Sequence, residues 1–263
     1  MLPNLVIIGA QKCGTTSLHL YLAGHPQVQM SRPKELHFFV EAGNWSRGLE
    51  WYERHFDAPG RAIYGEASPS YSAWPTHRGV PERLHRTVPA ARLIYLVRDP
   101  IDRMVSQWTM RTRNGVESRP LDAALRHVDG ADYLFRSRYH LQLGLYLEHF
   151  PPEQILVVDS DDLDRDRAAT LRRVHRFLGI DEGHRGSRHR LRYHRTADRR
   201  KLGPGFLPDR ARDLLGRAAG RAGFRPPRPA VSPALRAWLV DQLRDDVRQL
   251  RETTGQRFGG WSL

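Results

Sequence analysis

The chain has 263 residues, 40% of them hydrophobic and 27% charged, with a formal net charge of +13 at pH 7. That balance describes a globular chain long enough for one large domain or two small ones. No stretch approaches the roughly 18 apolar residues of a membrane span, and a single cysteine, Cys13, excludes an internal disulfide framework or a multi-cysteine metal site.

The first element is the apolar run Leu5-Val6-Ile7-Ile8, read as a buried parallel strand ending at Gly9. The N-terminus runs straight into this strand without a basic leader, so no signal peptide and a cytoplasmic location are expected. A loop from Ala10 to Gly14 follows. Thr15-Thr16-Ser17 then opens a helix reaching to Ala23, with Leu18, Tyr21 and Leu22 as its apolar stripe and Gly24-His25-Pro26 as its stop. Lys34-Glu35-Leu36-His37-Phe38-Phe39 comes next. Read with a period of two, it sets Glu35 and His37 on one face and Leu36 and Phe38 on the other. A weaker strand is read over 62–65.

The second clear strand spans Arg92 to Val97 and ends at Arg98-Asp99-Pro100. A helix over 101–112 follows, with Asp99 as N-cap and Pro100 at N1. An amphipathic helix over 137–149, with Leu141, Leu145 and Leu147 apolar, precedes a third strand, Gln154 to Val158. Another helix, Ala168 to Leu178, stops at Gly179. Residues 183–230 are rich in Arg, Gly, His and Pro and read as a long basic loop or lid. The closing helix, 232–254, is capped by Ser232, has Pro233 at N1 and carries a stripe of Leu235, Leu239, Leu243, Val247 and Leu250, with Gly255 as its stop. Strands alternating with helices predict an α/β fold, a central parallel sheet flanked by helices in one domain over 1–263, with ligands at the carboxyl ends of the strands.

Strand, glycine loop and helix N-terminus form the context of a phosphate loop. The stretch from Gly9 to Thr16, GAQKCGTT, nearly fits G-x-x-x-x-G-K-[ST], but Thr15 occupies the lysine's place and Lys12 sits inside the loop. All but three of the 42 basic residues are arginine; the lysines are Lys12, Lys34 and Lys201. In so arginine-rich a chain, a retained lysine marks a place suited to a compact point charge. Gly9, Gly14, the amides near Thr15 and the hydroxyls of Thr15 and Thr16 can cradle phosphate, and Lys12 can reach the bridging oxygen of a 5′-phosphate donor. The strand ending at Val97 delivers Arg98 where a kinase would use a metal-binding acid. A guanidinium fork at Arg98 with the Ser106 hydroxyl suits a terminal phosphate; alternatively Arg98 pairs with Asp99 or Asp102. Arg103 reads as a surface or salt-bridge residue. Glu35 and His37 form a base with its orienter, or two bases; the bland alternative pairs Glu35 with Lys34. Glu66 ranks lower, as a structural or acceptor-site carboxylate. Thr15, Thr16 and Ser17 also fit the plain role of helix caps.

IGAQKCGTTSL, LIYLVRDPIDRMVSQW and RPKELHFF, in this order, with YGEASPSY and the ending TGQRFGGW, resemble the sulfotransferases that use 3′-phosphoadenosine 5′-phosphosulfate. The likeness is greatest to the heparan sulfate N- and 3-O-sulfotransferase type and its bacterial relatives. It covers nearly the whole chain, with 183–230 the poorest match and that type's cysteine pair absent. The resemblance implies a P-loop-like sulfotransferase fold and direct in-line transfer of a sulfuryl group. It implies donor binding by Lys12, Cys13, Gly14, Thr15, Thr16, Ser17, Arg98, Ser106, Arg200 and Lys201. It makes Glu35 the general base, with His37 assisting and Lys12 at the leaving oxygen. Cys13 is read as a small residue fitting a tight loop. The acceptor is expected to be a hydroxyl or amine of a sugar-containing compound or a secondary metabolite, with Trp45, Trp51, Tyr71, Trp74 and Trp108 as candidate cleft aromatics. No metal is expected: the spacing of His184, His189 and His194 suits no helix face and nothing completes a site. No nucleic-acid partner is expected. The other readings are a P-loop kinase of a small molecule and a non-enzymatic polyanion-binding protein.

Overall fold

A computed structural model describes residues 1–57, 59–126, 132–186 and 229–263. Its centre is a parallel sheet of five strands: β1 (Leu5–Gly9), β2 (Val28–Met30), β3 (Ile63–Ala67), β4 (Arg92–Val97) and β5 (Ile155–Asp159), in the order β2-β3-β1-β4-β5. Each of β1, β3 and β4 is buried almost throughout. That explains why β1 and β4 read as continuous apolar runs rather than alternating ones. The strand β2 is absent from the sequence reading, because three residues at a sheet edge carry too little pattern to detect. The weak strand at 62–65 is in fact β3, shifted to Ile63–Ala67 and placed second from the edge.

Ten helices lie around the sheet among the described residues. They are α1 (Thr15–Leu22), α2 (Gly48–Glu53), α3 (Val80–Thr87), α4 (Pro100–Arg113), α5 (Leu121–Arg126), α6 (Asp132–Phe135), α7 (Tyr139–Leu147), α8 (Ser160–Arg165), α9 (Arg167–Leu178) and α10 (Pro233–Thr254). The signals in the sequence act as expected at several ends. The Asp99 side chain accepts from the Asp102 amide at the start of α4, Gly179 ends α9 at φ 68°, and Ser232 caps α10 by accepting from the Leu235 amide. The α10 stripe from Leu235 to Leu250 is wholly buried. Its first half packs on α4, α5 and α6 in a second apolar cluster, and its last turns join the main core on the sheet.

On α7 the buried face is Tyr139, Gln142, Leu143 and Tyr146, not the expected Leu141, Leu145 and Leu147. The tyrosines take the core side because both rings reach it: the Tyr146 hydroxyl donates to Tyr71 O at 3.0 Å, and Gln142 bonds the backbone of Trp74 and Phe135. The amides at the start of α7 are capped from outside, by Asp246 of α10 accepting from His140 and Leu141. No described helix is long and apolar enough to cross a membrane.

Candidate active site

The strands β1, β3 and β4 are neighbours, so their carboxyl ends release three loops side by side. The register keeps them level: Ile7 lies beside Ala67 and Ile94, the Ser68 amide donates to Ile7 O, and the Ala10 amide donates to Leu96 O. Gly9 is needed for this crowding, because a Cβ there would stand 1.8 Å from Ser72 Oγ. The loop after β1 therefore touches the one after β3.

Gly14 is the N-cap of α1 at φ 88°, a left-handed conformation suited to glycine. Thr15, Thr16 and Ser17 are thus the first helical residues rather than side-chain caps, which corrects that reading. Leu18 N–H bonds back to Gly14 O, and the first turn forms the electropositive end of the helix. Lys12 is held at φ 74° in the loop. Burial and the charges of Arg113, Arg98 and Arg103 lower its pKa to about 8. Among the described residues Lys12 makes no ion pair. Cys13 is fully buried, its thiol within 3.5 Å of the Tyr139 hydroxyl, and burial pushes its pKa up to about 11. It is a packing residue of the loop, as its size suggests.

Arg98 stands at the end of β4 and donates to Asp102 Oδ2 at 3.2 Å, the pairing left open by the sequence. Ser106 lies on α4, buried, with Arg113 two turns further along the same face. Arg113 escaped the sequence reading, although its spacing of seven from Ser106 was the available signal. Arg103 is corrected outright. It is fully buried, donating from Nε to Ser137 Oγ at 2.5 Å and from Nη2 to Tyr133 O at 2.6 Å. Arg200 and Lys201 lie outside the described residues, as does nearly all of the 183–230 segment.

The Lys34–Phe39 segment is not a strand. Glu35 and His37 both take positive φ, 68° and 49°, in a tight turn. The alternation of faces survives nonetheless: Leu36 and Phe38 are buried, whereas the Glu35 and His37 side chains are 42% and 39% exposed. The described non-glycine residues with positive φ are Lys12, Glu35, His37 and Phe258. Such a conformation costs roughly 1–3 kcal/mol at each residue and persists only where its surroundings impose it. Three of the four are the residues that carry the chemistry in the sequence reading.

The Lys34 ammonium contacts the Glu35 carboxylate, and Glu35 Oε2 lies 3.7 Å from His37 Nε2. The other ring nitrogen, Nδ1, lies 2.7 Å from Ser70 Oγ. Ser70 sits in the 3₁₀ turn Pro69–Ser72 that follows β3 and was not singled out from sequence. Burial lowers the His37 pKa below its ordinary value, against the pull of Glu35 and with that of Lys34. The ring is therefore neutral at pH 7, a state in which it can accept a proton. Glu66 is fully buried and accepts hydrogen bonds from Tyr52, Ser68 and Tyr71. Tyr71 is thereby removed from the candidate cleft aromatics. Trp108 is removed too, since its Nε1 donates to Arg119 O and its ring packs on the second apolar cluster. Trp45 and Trp51 lean on the core beside Phe38.

The C-terminal tail supports the site from behind. Trp261 packs on Tyr139, which touches Cys13, and its Nε1 donates to Asp159 at the end of β5. Ser262 donates to Asp99 through both its amide and its hydroxyl. Among the described residues no group of three or more His, Cys, Asp or Glu side chains is placed to hold a metal ion.

Residues 2–201 match the model of the sulfotransferase domain. The chain is 27% identical over 285 residues to a human bifunctional heparan sulfate N-deacetylase/N-sulfotransferase 2, covering 99% of this chain and 31% of that protein. It is 32% identical over 191 residues to human heparan sulfate glucosamine 3-O-sulfotransferase 5, covering 68% of this chain and 54% of that protein. The chain thus spans about a third to a half of the length of these relatives. Among solved structures, a sulfotransferase from Alicyclobacillus acidocaldarius superposes with a TM-score of 0.76 over 100% of both chains at 24% identity. A mouse sulfotransferase complexed with PAP superposes with a TM-score of 0.58 at 16% identity, covering 94% of this chain and 84% of that one. With the family model matched over residues 2–201, this chain belongs to the sulfotransferase domain family.

Proposed function

We propose that the chain moves a sulfuryl group from 3′-phosphoadenosine 5′-phosphosulfate directly to a hydroxyl or amine of a sugar-containing or secondary-metabolite acceptor. The observation that carries this reading is the placement of Lys12. It is a half-buried ammonium at the electropositive end of α1, ringed by Arg98, Arg103 and Arg113 and given no carboxylate partner among the described residues. Such a cluster of like charges is stabilised by a polyanion, and the donor of this family is one. That a mouse neighbour is complexed with PAP supports the same donor.

In this reading the first-turn amides of Thr15, Thr16 and Ser17 hold the 5′-phosphate. Lys12 neutralises the phosphate oxygen that departs as its bond to sulfur breaks. Arg98 and Ser106 hold the 3′-phosphate, and Arg113 adds positive charge at the same face of α4. Arg200 and Lys201 are proposed donor contacts, on a lid over 183–230, from sequence position alone. On the acceptor side, Glu35 takes the proton of the incoming hydroxyl or amine as the new bond to sulfur forms, with the neutral His37 ring beside it. The Lys34 ammonium already occupies one oxygen of the Glu35 carboxylate, which makes a second proton acceptor at His37 useful. The names of the heparan sulfate relatives support a glycan acceptor. An unbiased acceptor screen with radiolabelled donor, read by mass spectrometry, tests the proposal. A sulfated product gained by mass addition on a hydroxyl or amine is expected; the absence of transfer to any glycan or metabolite class would refute it.

A further inference from the structure

Glu66 takes no part in the roles assigned above, yet it is fully buried beneath the segment that carries Glu35 and His37. It projects from β3 at the level of Val6. Its Oε1 accepts from the hydroxyls of Tyr52 at 2.6 Å and Tyr71 at 2.8 Å, and its Oε2 accepts from Ser68 Oγ at 2.8 Å. Two of these hydroxyls pass the contact on. Ser68 Oγ accepts from the His37 backbone N–H at 3.1 Å, and Tyr71 Oη accepts from the Phe39 N–H at 3.3 Å.

These two relays bear on the turn that needs them. Glu35 and His37 are in the left-handed region, a conformation that persists only where the surroundings impose it. A hydroxyl that donates to a carboxylate has its lone pairs left for an incoming N–H, so the carboxylate orients both hydroxyls toward the turn. With every donor aimed at it and no exposure, Glu66 does not reach an acceptor, which removes it as a second base. Burial raises the Glu66 pKa, opposed by the hydrogen bonds from Tyr52, Tyr71 and Ser68 and by the charge of Lys34.

We propose that Glu66 is a positioning residue for sulfuryl transfer: a buried acceptor that, through the hydroxyls of Ser68 and Tyr71, holds the His37 and Phe39 amides and so fixes the turn presenting Glu35 and His37. The proposal rests on the reading of Glu35 and His37 as the acceptor-side groups. It does not depend on which molecule the acceptor is.

The test uses the whole chain with Ser68→Ala, Tyr71→Phe and Glu66→Gln. The first two each delete one relay, and the third keeps volume while turning an acceptor into a donor. The primary readout is the NMR titration of the His37 imidazole, assigned with His37→Gln. The charged and titratable groups facing that ring are Glu35, Lys34 and His77, and none is altered. In each folded variant the turn loosens, the ring gains water, and its pKa rises toward the ordinary histidine value. Turnover on any acceptor found in the screen falls about 10- to 100-fold, while the affinity for adenosine 3′,5′-bisphosphate stays within about twofold. An unchanged His37 titration in folded Ser68→Ala and Tyr71→Phe would overturn the proposal, as would a loss of turnover that merely tracks lost bisphosphate affinity. If Ser68→Ala fails to fold, Tyr71→Phe and Glu66→Gln decide by the same titration. A wild-type chain that binds no bisphosphate would sink the sulfotransferase reading instead, and the titration would still score the turn.

Discussion

The hydroxyl of Ser70 lies 2.7 Å from Nδ1 of His37, on the side of the ring away from Glu35. Ser70 leaves the carboxyl end of β3, whereas His37 belongs to the turn after β2, so two neighbouring strands meet at one imidazole. The contact fixes the ring plane and settles which nitrogen faces the carboxylate. Ser70→Ala should lower turnover about tenfold, equivalent to ~1.4 kcal/mol, with bisphosphate affinity unchanged. Ser70→Thr, which keeps the hydroxyl, should restore most of the rate. Steady-state kinetics paired with calorimetry checks both.

The role proposed for Lys12 makes donor binding depend on pH in a definite direction. Its pKa in the free chain is lowered to about 8, and only the protonated ammonium attracts an anion. A bound phosphate raises that pKa, so affinity is full below pH 8 and lost above it, by about tenfold per pH unit while the bound form stays protonated. Bisphosphate titrations at pH 6.5, 7.5, 8.5 and 9.5 test the slope, with the pH values chosen to be about one unit apart around that pKa. Lys12→Arg should flatten the profile, because a guanidinium does not titrate there. Lys12→Ala should abolish turnover, and Glu35→Ala likewise.

The proposed role of Arg98 is to anchor the donor rather than to take part in bond making. Arg98→Ala should weaken bisphosphate binding about 10- to 100-fold, ~1.4–2.8 kcal/mol, with turnover at saturating donor only slightly changed. Arg98 already meets Asp102, so an arriving phosphate competes with a partly exposed carboxylate and the gain stays modest. A kcat loss as large as the loss in affinity would place Arg98 at the reacting atoms instead.

Arg103 illustrates the opposite role. Its guanidinium is sealed between α4 and α6, holding Ser137 and the Tyr133 carbonyl. Arg103→Ala removes the side-chain donor to the buried Tyr133 carbonyl, at about 1–3 kcal/mol, and leaves the Ser137 hydroxyl with its bond to Pro100 O. A fall in denaturant midpoint with little change in the m-value is expected. Arg103→Met, which fills the volume, should recover part of it.

The fold was legible where burial is continuous and where caps are explicit. Strands β1, β4 and β5 are unbroken apolar runs, and α4, α9 and α10 carry Asp99, Gly179 and Ser232 at their ends. Strand β2 was not legible, being three residues long. The face of α7 was misjudged because a leucine count ignores the reach of Tyr139 and Tyr146 into the core. Arg103 was misjudged because charge alone does not reveal that a helix face is covered.

At the site, Lys12, Glu35, His37 and Arg98 were legible as motif residues, and the turn that presents two of them was not. A period of two predicts alternating faces, which the segment achieves through left-handed residues rather than a strand. Ser68, Ser70 and Tyr71 come from another strand end, and only the sheet order brings them under that turn. The contacts joining Trp261, Tyr139 and Cys13 are likewise consequences of packing between distant segments.

The most direct measurement is calorimetry of the purified chain with adenosine 3′,5′-bisphosphate and with ATP, each with and without Mg²⁺. Binding of the bisphosphate without metal, weakened by at least about tenfold in Lys12→Ala and at least about 100-fold tighter than ATP, is the predicted result. Equal or tighter binding of Mg²⁺–ATP, or bisphosphate binding indifferent to the loss of Lys12, would contradict the account.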